Sequence, residues 1–374
     1  MNIQHPLLSK IDINNIHNID SAVENIKNLG LKCKIHNDNI IVKYPKNLKY
    51  SEHDYIRKSR GIIIDFTNKK IINRSIEGCI DYSKFKSQFP LEEIVIEDCL
   101  DGTLINVYYN DKWCVSTKFC VNADEAKFRN SKTFRQLFDS VFGNFYDDLD
   151  KSYTYSFLLQ HNECRNVSMI TRNKLYHLES TNNVTGEKVQ IKIPGIDTPN
   201  ILKFGQYENL NKLKAKSYEE LEDIVNNMNW NKPGIMIYTS DRNYRAKLTN
   251  KNFENISNLV KDQNNIDFIV IKSMYRKKNL PELLKYFPEY GTNAVKINNL
   301  MIDYTTKLHE LYIKCKVKSV YCELEKKYKK TICDLHNLYK FERTQGNDSF
   351  KITYNVVCNL VRTYDAAFIY TLLM

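Results

Sequence analysis

Short alternating runs of apolar and polar residues fill the first two thirds of the chain, and apolar residues spaced three or four apart dominate the rest. The spacing of Ile19, Val23, Ile26 and Leu29 predicts a helix closed by Gly30. Cys33–Tyr44 alternates as a strand pair around Asn37-Asp38-Asn39, and Ile62–Phe66 with Lys70–Arg74 predicts a hairpin turning at Thr67-Asn68. Ile94–Cys120 reads as a strand, a tight turn at Asp101-Gly102, and a hairpin of Leu104–Tyr109 with Cys114–Thr117. Phe128, Phe134, Leu137, Phe138 and Val141 give residues 123–150 a helical pattern. Strands follow at Tyr155–Gln160, Val167–Ile170 and Leu175–Glu179, with the loop His161–Arg165 after the first. A helical connector covers 205–230, clearest at Tyr218–Met228. A strand over Gly234–Tyr238 then returns through the tip Asp241-Arg242-Asn243 as Tyr244–Leu248, and period-two spacing sends Arg245 and Lys247 to one face.

After Asn252 the pattern is helical at Phe253–Lys261, Asn279–Phe287, Val295–Tyr339 and Lys351–Leu373. Pro281 and Pro288-Glu289-Tyr290-Gly291 punctuate that region. The expectation is an α+β domain over 1–252, with antiparallel and mixed sheets bordering a cleft, and a C-terminal all-α domain over 253–374.

A chain of 374 residues with 42% hydrophobic content can build two cores. No apolar run reaches the length of a bilayer span, and the opening MNIQHPLLSK lacks a signal-peptide core, so no membrane partner and an intracellular, cytoplasmic setting are expected. Ten cysteines carry no CxxC pair, which predicts neither zinc site nor disulfide framework, but reduced, mostly buried thiols without a disulfide-linked partner. A formal charge of +11 favours a polyanionic partner, although AT-rich coding also explains part of the lysine excess.

Candidate chemistry lies at Cys99-Leu100-Asp101-Gly102, where a glycine beside an acidic residue lets backbone approach a phosphate or base. The next strand ends on Lys118. With Arg60-Gly61 upstream and Arg245 and Lys247 downstream, this layout resembles the covalent nucleotidyltransferases, in particular phage-type ATP-dependent RNA ligases that repair RNA. The resemblance implies a nucleotidyltransferase fold, ATP and Mg2+ as cofactors, RNA ends as substrates, and a helical domain that helps recognise RNA. Carried over by motif, Tyr44, Arg60, Lys84, Asp101, Gly102 and Gly234 would contact nucleotide. Cys99, Lys118, Arg245 and Lys247 would hold the catalytic positions, with no residue assigned to a metal.

Lys86 stands where the family pattern has an aromatic, and three motif residues are lost. Cys99 stands where the adenylate-accepting lysine belongs, Leu158 replaces a glutamate with Gln160 as a partial stand-in, and Pro233 replaces another glutamate. Cysteine has neither the reach nor the hard amine of lysine. The reading is therefore an RNA-ligase-like binding protein that has lost adenylyl transfer. The alternative is an active RNA ligase whose lysine is displaced to Lys118 or Lys86. His161 is expected to be a loop histidine without a chemical task.

Overall fold

The computed structural model describes residues 5–51, 53–128, 132–204, 212–213, 215–261 and 265–374. It divides into two compact units, Met1–Ser257 and Asn258–Met374. The sequence-based boundary at 252/253 falls in a helix, Lys251–Val260, that runs across this division.

In the first unit β1 (Lys32–His36), β2 (Asn39–Lys43), β3 (Ile62–Asp65) and β4 (Lys70–Asn73) form an antiparallel sheet in sequential order. One face is sealed by α1 (Pro6–Ile11), α2 (Ile19–Asn28) and α3 (Asp54–Arg57), with Leu7, Ile26, Ile40, Val42 and Ile62 among the buried residues. The other face contributes Ile41, Ile63 and Ile72 to a cluster with Tyr108 and Val121. Alternation along these short strands thus has two apolar outlets rather than one.

β5 (Ile94–Asp98) and β6 (Thr103–Asn110) part company. β6 joins β7 (Lys112–Thr117), β8 (Tyr153–Gln160), β9 (Lys174–Asn182) and β10 (Lys188–Val189) in the order β10-β9-β8-β6-β7. β5 lies in another sheet with β11 (Ile201–Phe204), β12 (Lys212–Leu213), β13 (Gly234–Thr239) and β14 (Arg245–Thr249), ordered β12-β11-β5-β13-β14. The expected tight turn at Asp101-Gly102 is therefore a crossing between two sheets.

Following the short helix α4 (Tyr82–Gln88), the helix α5 (Phe134–Phe142) covers Ile105, Val107, Tyr155 and Phe157 on one face of the β6 sheet. It is held by a capping box between Thr133 and Gln136, which starts the helix at 134; among the described residues the expected helix over 123–150 is reduced to this segment and short turns at Ala123–Glu125 and Phe145–Asp148. α4 and α6 (Tyr218–Asn226) cover the β5 sheet, packing Phe85, Leu221 and Val225 on Ile96, Ile235, Ile237 and Ala246. The first part of the expected 205–230 connector, residues 205–211 and 214, lies outside the described residues. Val167–Ile170 is not a strand, because the Val167 and Ser168 amides donate to the Asp101 carboxylate instead of a ladder.

Beyond α7 (Lys251–Val260), the second unit is helical: α8 (Ile266–Lys272), α9 (Leu280–Tyr286), α10 (Gly291–Tyr312), α11 (Lys326–Thr344), α12 (Tyr354–Thr363) and α13 (Ala366–Leu373). The expected single helix over 295–339 is broken between α10 and α11: α10 runs on as a π-helical turn at Ile313–Val317, and the segment after it joins Cys322 to Cys315, with Cα atoms 6.5 Å apart. That bond corrects the expectation of thiols throughout, because a seven-residue separation carries no CxxC signature. Of the remaining cysteines, Cys99 and Cys164 are buried while Cys333 is exposed, so the thiols are also less buried than expected. The expected helix over 351–373 breaks at extended Tyr364, and Asp365 then caps α13 by accepting the Phe368 amide. No helix among the described residues is long and apolar enough to cross a membrane.

Candidate functional site

The two five-stranded sheets each keep one polar face. In the β5 sheet the apolar face is spent on α4 and α6, so the opposite face carries Glu97, Met236 and Lys247 in one cross-strand row and Val95, Tyr238 and Arg245 in the next. In the β6 sheet Glu179, Ser156, Asn106 and Ser116 stand in register across β9, β8, β6 and β7, and all four are buried. Glu179 interacts electrostatically with Arg245, Arg242 and Tyr238, which ties these polar faces together.

Segment 74–80 stitches them. The Arg74 amide donates to Thr154 Oγ1 at 3.1 Å and the Ile76 amide to Ser156 Oγ at 3.1 Å, both on β8. The Arg245 guanidinium donates to the Glu77 carbonyl, and the Ile80 amide donates to the Arg245 carbonyl at 2.9 Å. Arg60 reaches the same segment, donating from Nη1 to the Ile76 carbonyl at 3.4 Å. Burial pulls the Arg60 pKa down, with Tyr44 opposing and Arg245 adding to the shift.

Cys99 sits at the crossing, 8% exposed, its amide donating to the Gly234 carbonyl at 3.3 Å. Burial pushes its thiol pKa up, against the opposing pull of the neighbouring Lys247 ammonium. Lys247 remains charged: burial opposes the ammonium, but Cys99 and Asp101 together hold its pKa above the usual lysine value. Cys79 lies within electrostatic reach of Cys99, Lys247, Arg60 and Arg245.

Lys118, just past the end of β7, has its ammonium over the Tyr44 ring, 5.6 Å from the centroid. Desolvation, then Arg60, Lys43 and Lys49, bring its pKa down to about 8 although much of the side chain reaches solvent. Tyr44 is buried, and its ring lies against Gly78, where a Cβ would meet the ring carbon and hydroxyl at 3.0 Å.

The structure therefore brings Tyr44, Arg60, Cys99, Lys118, Arg245 and Lys247 into one linked network. Asp101 belongs to it through Lys247 but is occupied structurally: Oδ2 accepts the Val167 and Ser168 amides at 2.8 Å each, and Oδ1 the Asn166 side-chain amide at 3.3 Å. Gly102 is required by protein rather than ligand, since a Cβ there would lie 2.6 Å from the Leu159 carbonyl oxygen and 2.9 Å from Leu158 Cγ. Gly234, at φ +118°, is likewise fixed by the Leu248 carbonyl on its partner strand, 2.1 Å from an added Cβ. Lys84 is exposed in the first turn of α4, whose cap is Asp81. The Gln160 side-chain amide donates to the Asp101 carbonyl at 2.9 Å. His161 caps the Asn162–Cys164 turn by accepting the Glu163 amide at 3.1 Å.

Sequence reasoning missed Glu97, Glu179, Cys79, Tyr238 and Arg242. Glu97 pairs with Arg242 at 2.7 Å; Glu179 is pushed to a raised pKa by burial, against Lys188 and Arg245. The available signal was a glutamate inside an otherwise apolar strand, at Glu97 in Ile94–Asp98.

No family model matches the chain. An RNA ligase of Rhodothermus phage RM378 is 24% identical over 205 residues, 45% of this chain and 47% of that protein. An immediate-early protein ICP-46 homolog of Invertebrate iridescent virus 3 is 26% identical over 147 residues, 34% of this chain and 33% of that protein. The chain thus matches less than half the length of either curated relative. Among solved structures, an archaeal ATP-dependent RNA ligase gives a TM-score of 0.42 at 10% identity, covering 74% of this chain and 75% of that one. A Naegleria gruberi RNA ligase with ATP and Mn gives 0.32 at 11% identity, covering 43% and 50%. In a partial sequence match, the chain is similar to a phage RNA ligase.

Proposed function

We propose that this chain is an RNA-ligase-like protein that binds nucleotide or the phosphorylated end of an RNA between its two five-stranded sheets, without adenylyl transfer through residue 99. The observation that carries this reading is the pairing of the Cys99 thiol with the Lys247 ammonium inside a network that also holds Arg60, Arg245 and Lys118. A phosphate entering it meets fixed cations, and guanidinium and ammonium groups in a partly desolvated setting favour phosphate strongly. The group at the attacking position is a buried, protonated thiol on a one-carbon stem.

Phosphate chemistry fits this donor set; a protein cage for Mg2+ does not. Glu97 is held by Arg242, the Asp101 oxygens are taken by the 166–168 loop, and Glu179 faces Lys188, Arg245 and Arg242. A divalent ion would arrive on the nucleotide's own phosphates, as magnesium commonly does. No step of the binding reading depends on it.

A 5′-phosphorylated oligoribonucleotide tests the binding reading. Its affinity should fall steeply as salt rises, and Lys247→Met and Arg60→Gln should each weaken it about tenfold or more, as loss of a charge-assisted contact implies. A salt-independent affinity, or one untouched by both substitutions, contradicts it.

The second reading, an active ligase with a displaced nucleophile, is favoured by one feature: Lys118 is held near pKa 8 and is therefore partly unprotonated near neutrality. Lys86 lacks that feature, being paired with Glu219 at 2.6 Å and Glu222 at 3.1 Å and kept protonated by both. If Lys118 is the nucleophile, an AMP adduct forms on the unmodified chain and disappears in Lys118→Met.

A further inference from the structure

The four-stranded sheet carries a second group of cations on the side turned toward β7. Lys32 and Lys34 share a face of β1 by period-two spacing, and the register sets Lys32 directly opposite Lys43 of β2. Ile41, opposite Lys34, is buried in the cluster that Cys114 of β7 and Phe119 border, which fixes the direction in which this face looks. There the Lys43 ammonium stands 3.7 Å and the Lys34 ammonium 4.7 Å from the centroid of the Phe119 ring. Gly61 closes the gap to Lys118: its amide donates to the Val42 carbonyl at 2.8 Å, and at φ +75° an added Cβ would lie 3.1 Å from the Lys118 carbonyl oxygen. The glycine thus seats the Lys118 backbone against β2, beside both Lys43 and Arg60.

The protein leaves this group unanswered. Among the described residues no carboxylate lies within ion-pair distance of Lys32, Lys34, Lys43 or Lys118, and Glu125, at the far end of the row, pairs with His36 at 3.4 Å. The Phe119 ring orients two ammoniums without cancelling their charge. Like charges directly opposite in a ladder oppose folding, and burial, then Lys32 and Lys34, disfavour the Lys43 ammonium. Lysines on an edge strand guard it against pairing with another chain, which accounts for Lys32 and Lys34 alone. That role does not extend to Lys43, on the inner strand β2, or to Lys118, beyond the end of β7. Cations spread over β1, β2 and the end of β7 suit the repeated anions of a polynucleotide backbone better than one small ion.

We infer that Lys34, Lys43 and Lys118 form a track for the sugar-phosphate backbone of an RNA strand, leading to the network around Cys99. This rests on the reading that the Cys99 network takes a phosphorylated RNA end, and adds where the rest of the strand lies. Continuity comes from Lys118, whose ammonium stands over the Tyr44 ring and is repelled by Arg60 on one side and Lys43 on the other.

The full chain is titrated at several salt concentrations with adenosine monophosphate and with a 5′-phosphorylated oligoribonucleotide of about 12 nucleotides, within the span of a single-stranded site. In the double variant Lys34→Gln/Lys43→Gln the oligonucleotide should bind about tenfold more weakly, with the slope of log affinity against log salt smaller by about 1.4, since each lost contact removes about 0.7. Adenosine monophosphate should bind unchanged, and Lys34→Arg/Lys43→Arg should keep the oligonucleotide affinity, which separates lost charge from a damaged fold. If the Gln variant leaves oligonucleotide affinity and slope untouched while Arg60→Gln weakens both ligands, the track is wrong and the end-binding reading stands. If the Gln variant weakens the oligonucleotide while Arg60→Gln and Lys247→Met change neither ligand, the end-binding reading falls and the lysines remain a strand-binding surface. An equal loss in Lys10→Gln/Lys27→Gln, on helices that cover the opposite face of the sheet, would reduce the effect to net charge and overturn the inference. Competition by polyglutamate of matched charge as strong as that of the oligonucleotide would overturn it too.

Discussion

The Lys247 ammonium lies within electrostatic reach of the Cys99 sulfur at the point where the chain passes from one five-stranded sheet to the other. Lys247 comes from the last strand of its sheet and Cys99 from the end of the central one, so their interaction joins the crossing to both ends of the β5–β13–β14 ladder. A cluster of cations is thereby kept next to a position that carries no amine of its own.

Asp101 is a positioning residue for this crossing, since it accepts two backbone amides and one side-chain amide from residues 166–168. Asp101→Asn keeps the shape but removes the charge and one acceptor. It should destabilise the protein by about 2 kcal/mol, the range for hydrogen bonds to charged groups. Chemical denaturation checks this, with the expected loss appearing as a lower midpoint at unchanged slope.

Gly102→Ala should be worse tolerated than an ordinary loop substitution, by about 1–3 kcal/mol, because the added methyl meets the Leu159 carbonyl at 2.6 Å. The second obstacle, Leu158 Cγ at 2.9 Å, belongs to a side chain and can be removed. Combining Gly102→Ala with Leu158→Ala should therefore fail to restore stability, since the backbone oxygen stays. Full rescue in the double variant would show that the glycine serves side-chain packing alone.

Lys118 sets a pH dependence. Its folded pKa of about 8 lies below its ordinary value of 10.5, so between those limits the unfolded chain binds more protons and stability gains from this group as pH rises. Below about pH 8 the charged lysine is a burden on the fold that is relieved across that window. Lys118→Met should accordingly raise the melting temperature at pH 7 and lose that advantage by pH 10.5. Any phosphate bound through Lys118 should bind more weakly as pH rises through 8, and Lys118→Arg should flatten the profile, because arginine stays charged.

Much of this arrangement could be read from residue spacing. Period two put Arg245 and Lys247 on one face, and the register on β13 does so, because Ile235, Ile237 and Ala246 fill the other face against α4 and α6. The strand and the hairpin over 94–120 are also present, but alternation says nothing of which sheet a strand joins, so the crossing that replaces the turn at Cys99–Gly102 was not visible. Glycine at 102 was read as room for a ligand; it is room for β8. Glu179 escaped notice because a strand glutamate reads as solvent-facing, and a bulge at Ser156/Phe157 resets the register that turns it inward. Long charged helical stretches hid their breaks, since the end of the helical run at Val317 and the break at Tyr364 carry neither glycine nor proline.

The central claim, that cations remain where the reactive amine has gone, is tested most directly by incubating the protein with α-labelled ATP and a divalent metal and looking for an acid-labile, alkali-stable AMP adduct. The account predicts no adduct on the unmodified chain and an adduct on Cys99→Lys, where an amine re-enters beside Lys247. An adduct on the unmodified chain would contradict it.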